Sequence, residues 1–208
     1  MRRVDMGIKK WIAVALLALW APMSFAADKV ADPYKKIEQV TVELLAIIAT
    51  YRDTYPESEV AYFDKLDQLL SSHVDFAWIA KNVMGSYGKS ASPDQREKFT
   101  QVFRSGLVET YGRGLIGYED QTIVLLDGKP IANGQRKVTV KQEIRSDESV
   151  YPLEYTVVRN RSGEWMVLNV VINGINLGKT FRNQFTQSAQ RLGGDIDKVI
   201  SGWLTQPQ

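Results

Sequence analysis

The spacing of apolar residues changes once along this chain, near Gln121, and that change constrains the fold more than any other feature. Before it, apolar side chains recur every three or four residues, which predicts helices. After it they alternate with polar ones, which predicts strands. The expected helices cover about 34–55, 62–73, 76–84 and 93–118; the expected strands cover about 122–126, 138–144, 153–158 and 165–172; one or two closing helices cover 181–203.

Short, turn-rich connections separate the four predicted strands. Asp127-Gly128 and Asn133-Gly134 follow the first strand, and Asn160-Arg161-Ser162-Gly163 joins the last two. Such connections favour an antiparallel meander. The predicted fold class is therefore α+β, with a curved four-stranded antiparallel sheet packed against several helices.

The predicted fourth helix has the clearest start signal in the chain. Ser92, Pro93 and Gln95 form a capping box with proline in the first turn. Its last third is rich in glycine, which indicates either close backbone packing or a place where the helix flexes. Residues 112–117 match the spacing GxGxxG. A dinucleotide site needs this motif between a strand and a following helix, and here the order is reversed.

The first 26 residues have the pattern of a cleavable export signal. Arg2, Arg3, Lys9 and Lys10 precede an uncharged, mostly apolar run at 11–21, and Ser24 and Ala26 place small residues at the cleavage positions. A membrane anchor is the alternative, but a span needs roughly 20 apolar residues. We expect cleavage after Ala26, or else after Ala27, and one domain over residues 27–208.

Removal of this signal changes the charge argument. The chain has 26 basic and 24 acidic residues. Residues 1–26 hold four of the basic and one of the acidic residues, which leaves 22 and 23 and a net charge of −1. Nucleic-acid binding needs a clustered basic face, so we exclude that partner class. With 0 cysteines, the chain has no disulfide, thiolate metal site or cysteine nucleophile.

Few residues in the sequence carry chemistry. His73 is the 1 histidine, which excludes the HxxxH and HExxH metal spacings, and a polar partner at a helix end is the expected role. Glu143 and Glu154 are the carboxylates considered as general bases. Their neighbours at period two, Lys141 and Thr156, indicate an outward polar face instead. We therefore expect no catalytic residue, no metal and no cofactor.

The sequence instead has an excess of large apolar side chains on its helical stripes and strand faces. Core packing is the first explanation of such residues. A ligand cavity uses the same residue types, so composition leaves both explanations open.

Two blocks of sequence resemble a known family. They are 84–99, followed by Phe103 and Tyr111-Gly112, and 165–177, followed by 182–185. Together with Asp32-Pro33-Tyr34 they resemble the MlaC family of periplasmic phospholipid-binding proteins, the toluene-tolerance auxiliary family. Asn169 and Asn176 depart from its usual aspartate and serine.

The resemblance implies a cone related to nuclear transport factor 2 (NTF2-like), with an apolar lipid cavity between sheet and helices. It implies a periplasmic, non-enzymatic carrier that shuttles glycerophospholipid between the inner and outer membranes in the Mla pathway. The implied partners are an inner-membrane ABC transporter complex with an MCE-domain subunit and an outer-membrane lipoprotein–porin complex. Two alternatives stay open: a periplasmic enzyme of the same fold acting on a small apolar substrate, and an adaptor with a filled core.

On this interpretation, apolar side chains of helices and sheet contact the acyl chains, and bound phospholipid is cargo. Lys179 and Arg182 are candidates to contact lipid phosphate or an acidic partner, but solvated surface charge is the favoured interpretation of both. The expected tail contacts are Phe76, Val83, Phe99, Phe103, Leu107, Tyr111, Leu115, Val140, Tyr155, Val157, Val167 and Val170.

Overall fold

The structure, a computed structural model, describes residues 32–118 and 121–203. The predicted export signal at 1–26 lies outside this range. Within it, helices occupy the first half, an antiparallel sheet follows, and two helices close the chain, which confirms the α+β prediction. The helices are α1 (Pro33–Tyr51), α2 (Glu59–His73), α3 (Phe76–Val83), α4 (Tyr87–Ser90), α5 (Pro93–Leu115), α6 (Leu177–Arg191) and α7 (Ile196–Gly202).

The helix starts follow local signals in the sequence. The Asp32 side chain accepts from the Tyr34 backbone N–H at the start of α1. Both hydrogen bonds of the predicted capping box are present on α5, between Ser92 and Gln95. These contacts satisfy backbone donors that have no partner within the helix.

The sheet has five strands in sequential order, and all neighbours are antiparallel. They are β1 (Thr122–Leu125), β2 (Lys137–Arg145), β3 (Val150–Arg159), β4 (Trp165–Ile172) and β5 (Ile175–Asn176). The four predicted strands are confirmed, but the count of four was wrong. A tight turn through Asn173 and Gly174, both at positive φ, brings the two-residue β5 back onto the end of β4.

Several predicted boundaries also differ. The first helix ends at Tyr51 rather than near residue 55, since Arg52–Thr54 tighten into a 3-10 turn. The fifth helix of the structure ends at Leu115, and the next residues form a turn in which the Tyr118 N–H donates to the Leu115 carbonyl. Helix α4 was not predicted, because four residues are too few to show a helical period.

One face of the sheet, here called the inner face, is covered by helices. Ile37 of α1 packs against the buried Val138, Val140 and Val157. The junction between α2 and α3 also reaches the sheet, because Val74 forms a parallel bridge with Val167 of β4. The backbone N–H of Asp75 donates to the Val167 carbonyl at 3.1 Å.

Most buried apolar residues of the described chain fall into three clusters rather than one. The helical core joins α3, α5, α6 and α7; the sheet core joins α1 to the inner face; the α1–α2 core joins α1, α2 and α5. Val74 packs against both the helical core and the sheet core, and Leu70 packs against both helical clusters. We call the line along which the clusters meet the seam.

Among the described helices, none combines the length and the apolar character that crossing a membrane requires.

Candidate functional site

The inner face of the sheet carries apolar side chains that are not fully covered. Tyr155 of β3 is paired with Val140 on one side and with Val170 on the other. Val140 is completely buried, whereas Tyr155 and Val170 are only partly buried against the sheet core. A patch of apolar surface in the middle of the inner face therefore remains partly accessible.

The Tyr155 side chain brings a polar group into this patch. Burial raises the pKa of its phenol to about 12, so the hydroxyl remains protonated at neutral pH. Among the residues that the structure describes, this hydroxyl has no hydrogen-bond partner. It is not among the fully buried polar atoms, so it is a donor without a protein partner at the accessible surface of the patch.

A second polar group lies on the same face, at Gln142 of β2. Its side chain is only 2% exposed. Its Nε2 donates to the Thr41 hydroxyl of α1 at 2.9 Å, and the Thr41 hydroxyl lies 2.9 Å from the Ile37 carbonyl. A polar link thus joins α1 to the sheet inside an otherwise apolar layer.

The structure divides the twelve predicted tail contacts among different surroundings. Phe76, Val83, Phe99 and Phe103 lie in the helical core. Ring centroids there are close, at 4.9 Å for Phe99–Phe185 and 5.2 Å for Phe99–Trp203. The described helices leave little space for a ligand between such rings.

The other helical members of the set do not meet at one place. Leu107 is partly buried at the edge of the helical core, and Leu115 packs on the α1–α2 core. Tyr111 is 37% exposed. The five sheet members, by contrast, come together in one cluster: Val140, Tyr155, Val157, Val167 and Val170.

Sequence reasoning missed three residues near this patch: Thr41, Gln142 and Val74. A signal for Gln142 was present, because it continues the buried alternation of Val138 and Val140 with a polar side chain. No local signal shows that Thr41 is its partner, since the two are 101 residues apart in sequence.

A cationic groove of about 390 Å³ lies on the opposite face of β3 and β4. Lys137, Lys179 and Arg182 line it, and the described residues provide no carboxylate within ion-pair distance of these three side chains. The groove is on the outer face because its floor includes Thr156 and Asn169, which are paired neighbours of the inward Tyr155 and Val170.

The two departures from the resembled family both act as caps beside this groove. The Asn169 side-chain oxygen accepts from the Gly178 N–H, and that of Asn176 accepts from the Lys179 N–H, each at 3.0 Å. Both amides therefore satisfy free backbone donors at the start of α6 without adding a charge.

A second cavity, of about 710 Å³, lies under the β1–β2 loop. Tyr34 of α1 packs into this loop, where its hydroxyl donates to the Lys129 carbonyl at 3.1 Å. Ile131 extends from the same loop onto the sheet core. The loop thus covers one end of the inner face.

The carboxylates considered as bases are paired with cations on the sheet. Lys141 Nζ lies 2.7 Å from Glu154, and the Arg145 guanidinium lies 2.7 Å from Glu143. Within the described residues, no group of His, Cys, Asp and Glu is arranged to hold a metal ion.

Comparison with known proteins gives a consistent result. The model of the MlaC protein family matches residues 38–205. Toluene tolerance protein ttg2D of Pseudomonas putida is 35% identical over 191 residues, which cover 91% of this chain and 86% of that protein. The intermembrane phospholipid transport system binding protein MlaC of Haemophilus influenzae is 26% identical over 174 residues, 82% of this chain and 81% of that protein.

A solved structure shares the fold. It is the phospholipid-binding protein of Ralstonia solanacearum in complex with a phospholipid, with a TM-score of 0.69 and 23% sequence identity. The match covers 85% of this chain and 100% of that one.

Proposed function

The chain belongs to the MlaC protein family, and from this premise we propose that it is a carrier of phospholipid. The observation that carries the proposal is the partly open apolar patch on the inner face of the sheet, around Tyr155 and Val170. Relatives named for phospholipid transport and a fold shared with a phospholipid complex support it.

A phospholipid faces a large free-energy barrier when it leaves a bilayer for water. Moving an acyl chain from a bilayer into water costs ~0.8 kcal/mol per CH₂ group. A lipid with roughly 30 such groups therefore faces a barrier of about 24 kcal/mol. A carrier lowers this barrier by offering apolar side chains, which requires neither a catalytic group nor a cofactor.

We propose that the acyl chains lie along the inner face and enter at the seam. The five sheet members of the predicted set would contact them directly: Val140, Tyr155, Val157, Val167 and Val170. Among the helical members, Leu107 and Leu115 lie at partly buried positions that a chain entering the seam can reach. The tight ring packing favours a core role for Phe99 and Phe103, and burial in the same cluster favours it for Phe76 and Val83.

We further propose the cellular setting that the family resemblance implied. After cleavage of the signal at 1–26, the domain at 27–208 would work in the periplasm and shuttle glycerophospholipid between the two membranes in the Mla pathway. Its partners would be the ABC transporter complex with an MCE-domain subunit and the outer-membrane lipoprotein–porin complex. The position of Lys179 and Arg182, across the sheet from the inner face, favours an acidic partner over the phosphate of a lipid held there.

Native mass spectrometry of the full-length chain, exported to and purified from a bacterial periplasm, tests the carrier function. The expected result is a protein with co-purified phospholipid. A protein that stays free of lipid, even after incubation with phospholipid vesicles, would contradict the proposal and favour the adaptor alternative.

A pair of neighbouring substitutions makes this test specific for the inner face. Val170→Glu places a charge on that face, so we expect lipid retention to be lost. Val171→Glu places the same charge on the opposite face of the same strand, so retention should persist. Equal loss in two folded variants would place the lipid elsewhere.

A further inference from the structure

The inner face holds two neutral polar side chains that an acyl chain alone does not need. Hydrocarbon neither donates nor accepts hydrogen bonds, and valines would cover it at least as well. Tyr155 and Gln142 therefore offer hydrogen-bonding groups that a polar atom of the bound molecule can meet.

The first of these groups is the Tyr155 phenol. Its ring packs on the sheet core, while its hydroxyl has no partner within 32–118 or 121–203. This hydroxyl is not among the fully buried polar atoms, so it reaches the accessible surface of the patch, and acyl chains that cover it would leave the donor without water. An acceptor on the ligand would remove that penalty.

The second is the Gln142 amide, which has two N–H donors and a carbonyl oxygen. Thr41 is its partner in the described chain. The Thr41 hydroxyl has a single hydrogen, and the Ile37 carbonyl lies 2.9 Å away to accept it. Gln142 then donates one N–H to Thr41 and retains the second.

These two groups lie close together. Tyr155 is opposite Val140 and Gln142 is opposite Leu153 in the same register, so they are diagonal neighbours on one face. Diagonal positions of an antiparallel pair are roughly 7–8 Å apart, within reach of long side chains. Both groups are uncharged, which suits a neutral acceptor, because an anion would bring an uncompensated charge into an apolar layer.

We propose that Tyr155 and Gln142 bind an ester carbonyl of the lipid and so favour ester-linked over ether-linked glycerophospholipid. This inference rests on the proposed carrier function. It assigns the two side chains to the junction between the lipid's glycerol and its tails, and it fixes how deeply the tails enter. The choice depends on the linkage, so it is independent of the head group.

Competitive loading tests this assignment. The full-length protein, freed of lipid, is incubated with vesicles containing equal amounts of dipalmitoylphosphatidylcholine and its di-O-hexadecyl ether analogue, and the bound lipids are counted by native mass spectrometry. Each hydrogen bond to the carbonyl predicts an ester preference of about 2- to 10-fold. Tyr155→Phe removes only the hydroxyl, so it should reduce this ratio towards one while total loading persists.

Matched variants exclude indirect effects. Tyr151→Phe changes an exposed tyrosine on the same strand and should keep the wild-type ratio. Gln142→Leu should lower the ratio as Tyr155→Phe does, and thermal unfolding verifies that each variant is folded.

The outcomes separate the two proposals. Equal loading of ester and ether lipid by the wild type, or an unchanged ratio in both Tyr155→Phe and Gln142→Leu, would overturn the ester site and leave the carrier function intact. Failure of the wild type to load either lipid would overturn the carrier function itself.

Discussion

Gly112 and Gly114 stand two residues apart on α5 yet meet different surroundings. A Cβ added at Gly112 would lie 2.8 Å from Leu66 Cδ1 and 2.9 Å from Phe63 Cε1, whereas one at Gly114 would meet nothing within 4 Å. The first glycine of the GxGxxG spacing therefore permits close approach of α2. This supports the close-packing explanation at Gly112.

Alanine at these two positions should have opposite effects on stability. Gly114→Ala should raise the free energy of unfolding by up to about 1 kcal/mol, because alanine favours the helix. Gly112→Ala gains the same preference but must displace two packed side chains, so we expect a net loss of about 1–2 kcal/mol. Denaturant unfolding measures both free energies. Equal stabilisation by the two substitutions would show that α2 shifts to accommodate the added methyl group at residue 112.

His73 is the residue for which the structure predicts a pH effect. Burial lowers the pKa of its imidazole below 6.5, and the Lys36 ammonium adds to this, while Glu43 and Glu164 act in the opposite direction. Its buried Nδ1 has no partner in the described chain. The folded state thus binds its proton less well than the unfolded state does.

Stability should therefore fall as the pH drops below about 6.5, where the unfolded chain takes up this proton first. His73→Gln cannot titrate. We expect the wild type to lose more unfolding free energy than the variant between about pH 7.5 and about pH 5. Parallel curves for the two proteins would show that His73 does not contribute.

At the scale of elements, α5 contributes to the helical core, whereas β4 carries proposed lipid contacts. The first half of α5 supplies Phe99 and Phe103, both completely buried in the helical core. We expect Phe103→Ala to lower the unfolding free energy by about 3–5 kcal/mol, the usual cost of such a cavity. Val170→Ala on β4 should cost less, because Val170 is only partly buried.

Lipid retention provides the second measurement of this pair. In protein that remains folded, the Phe103→Ala variant should retain phospholipid, whereas Val170→Ala should weaken the retention of phospholipid. The opposite pattern would assign the acyl chains to the helical core and support the wider set of tail contacts predicted from the sequence.

The elements were predictable where periodicity is long. The helical stripes of α1, α2, α3 and α5, the alternation in β2 and β3 and the apolar run of β4 correspond to elements in the structure. Helix α4 and strand β5 were missed, since four and two residues show no period. The sequence could not predict which of the expected tail contacts lie in the core and which lie at the inner-face patch. Phe103 and Val170 are both apolar and differ only in what packs against them.

At the scale of the whole molecule, three cores meet at one seam. Val74 and Val167 hold the seam closed on one side, as they form a backbone bridge. A backbone bridge brings the two segments to the spacing of neighbouring strands, about 4.7–4.9 Å, which lies within the Cα range of a disulfide. Because the chain has 0 cysteines, a pair introduced there would have no competing thiol.

We expect oxidised Val74→Cys/Val167→Cys protein to exchange lipid with vesicles more slowly than the wild type, and a reductant to restore the rate. Thr139→Cys/Thr156→Cys is the control, because it joins two paired strands within the sheet and does not cross the seam. Fluorescent-lipid transfer between vesicles measures the rates. An unaffected rate in the oxidised seam variant would place the entrance elsewhere.

The divided interior has a consequence for the energetics of delivery. If acyl chains join the sheet core to the helical clusters, the cargo completes the packing of its own carrier, and loaded protein should melt at a higher temperature than empty protein by mass action. Handing over the lipid then leaves a less stable molecule. A membrane partner that accepts cargo must offset this loss as well as house the tails, so the gap between the two melting temperatures measures how firmly the protein resists unloading.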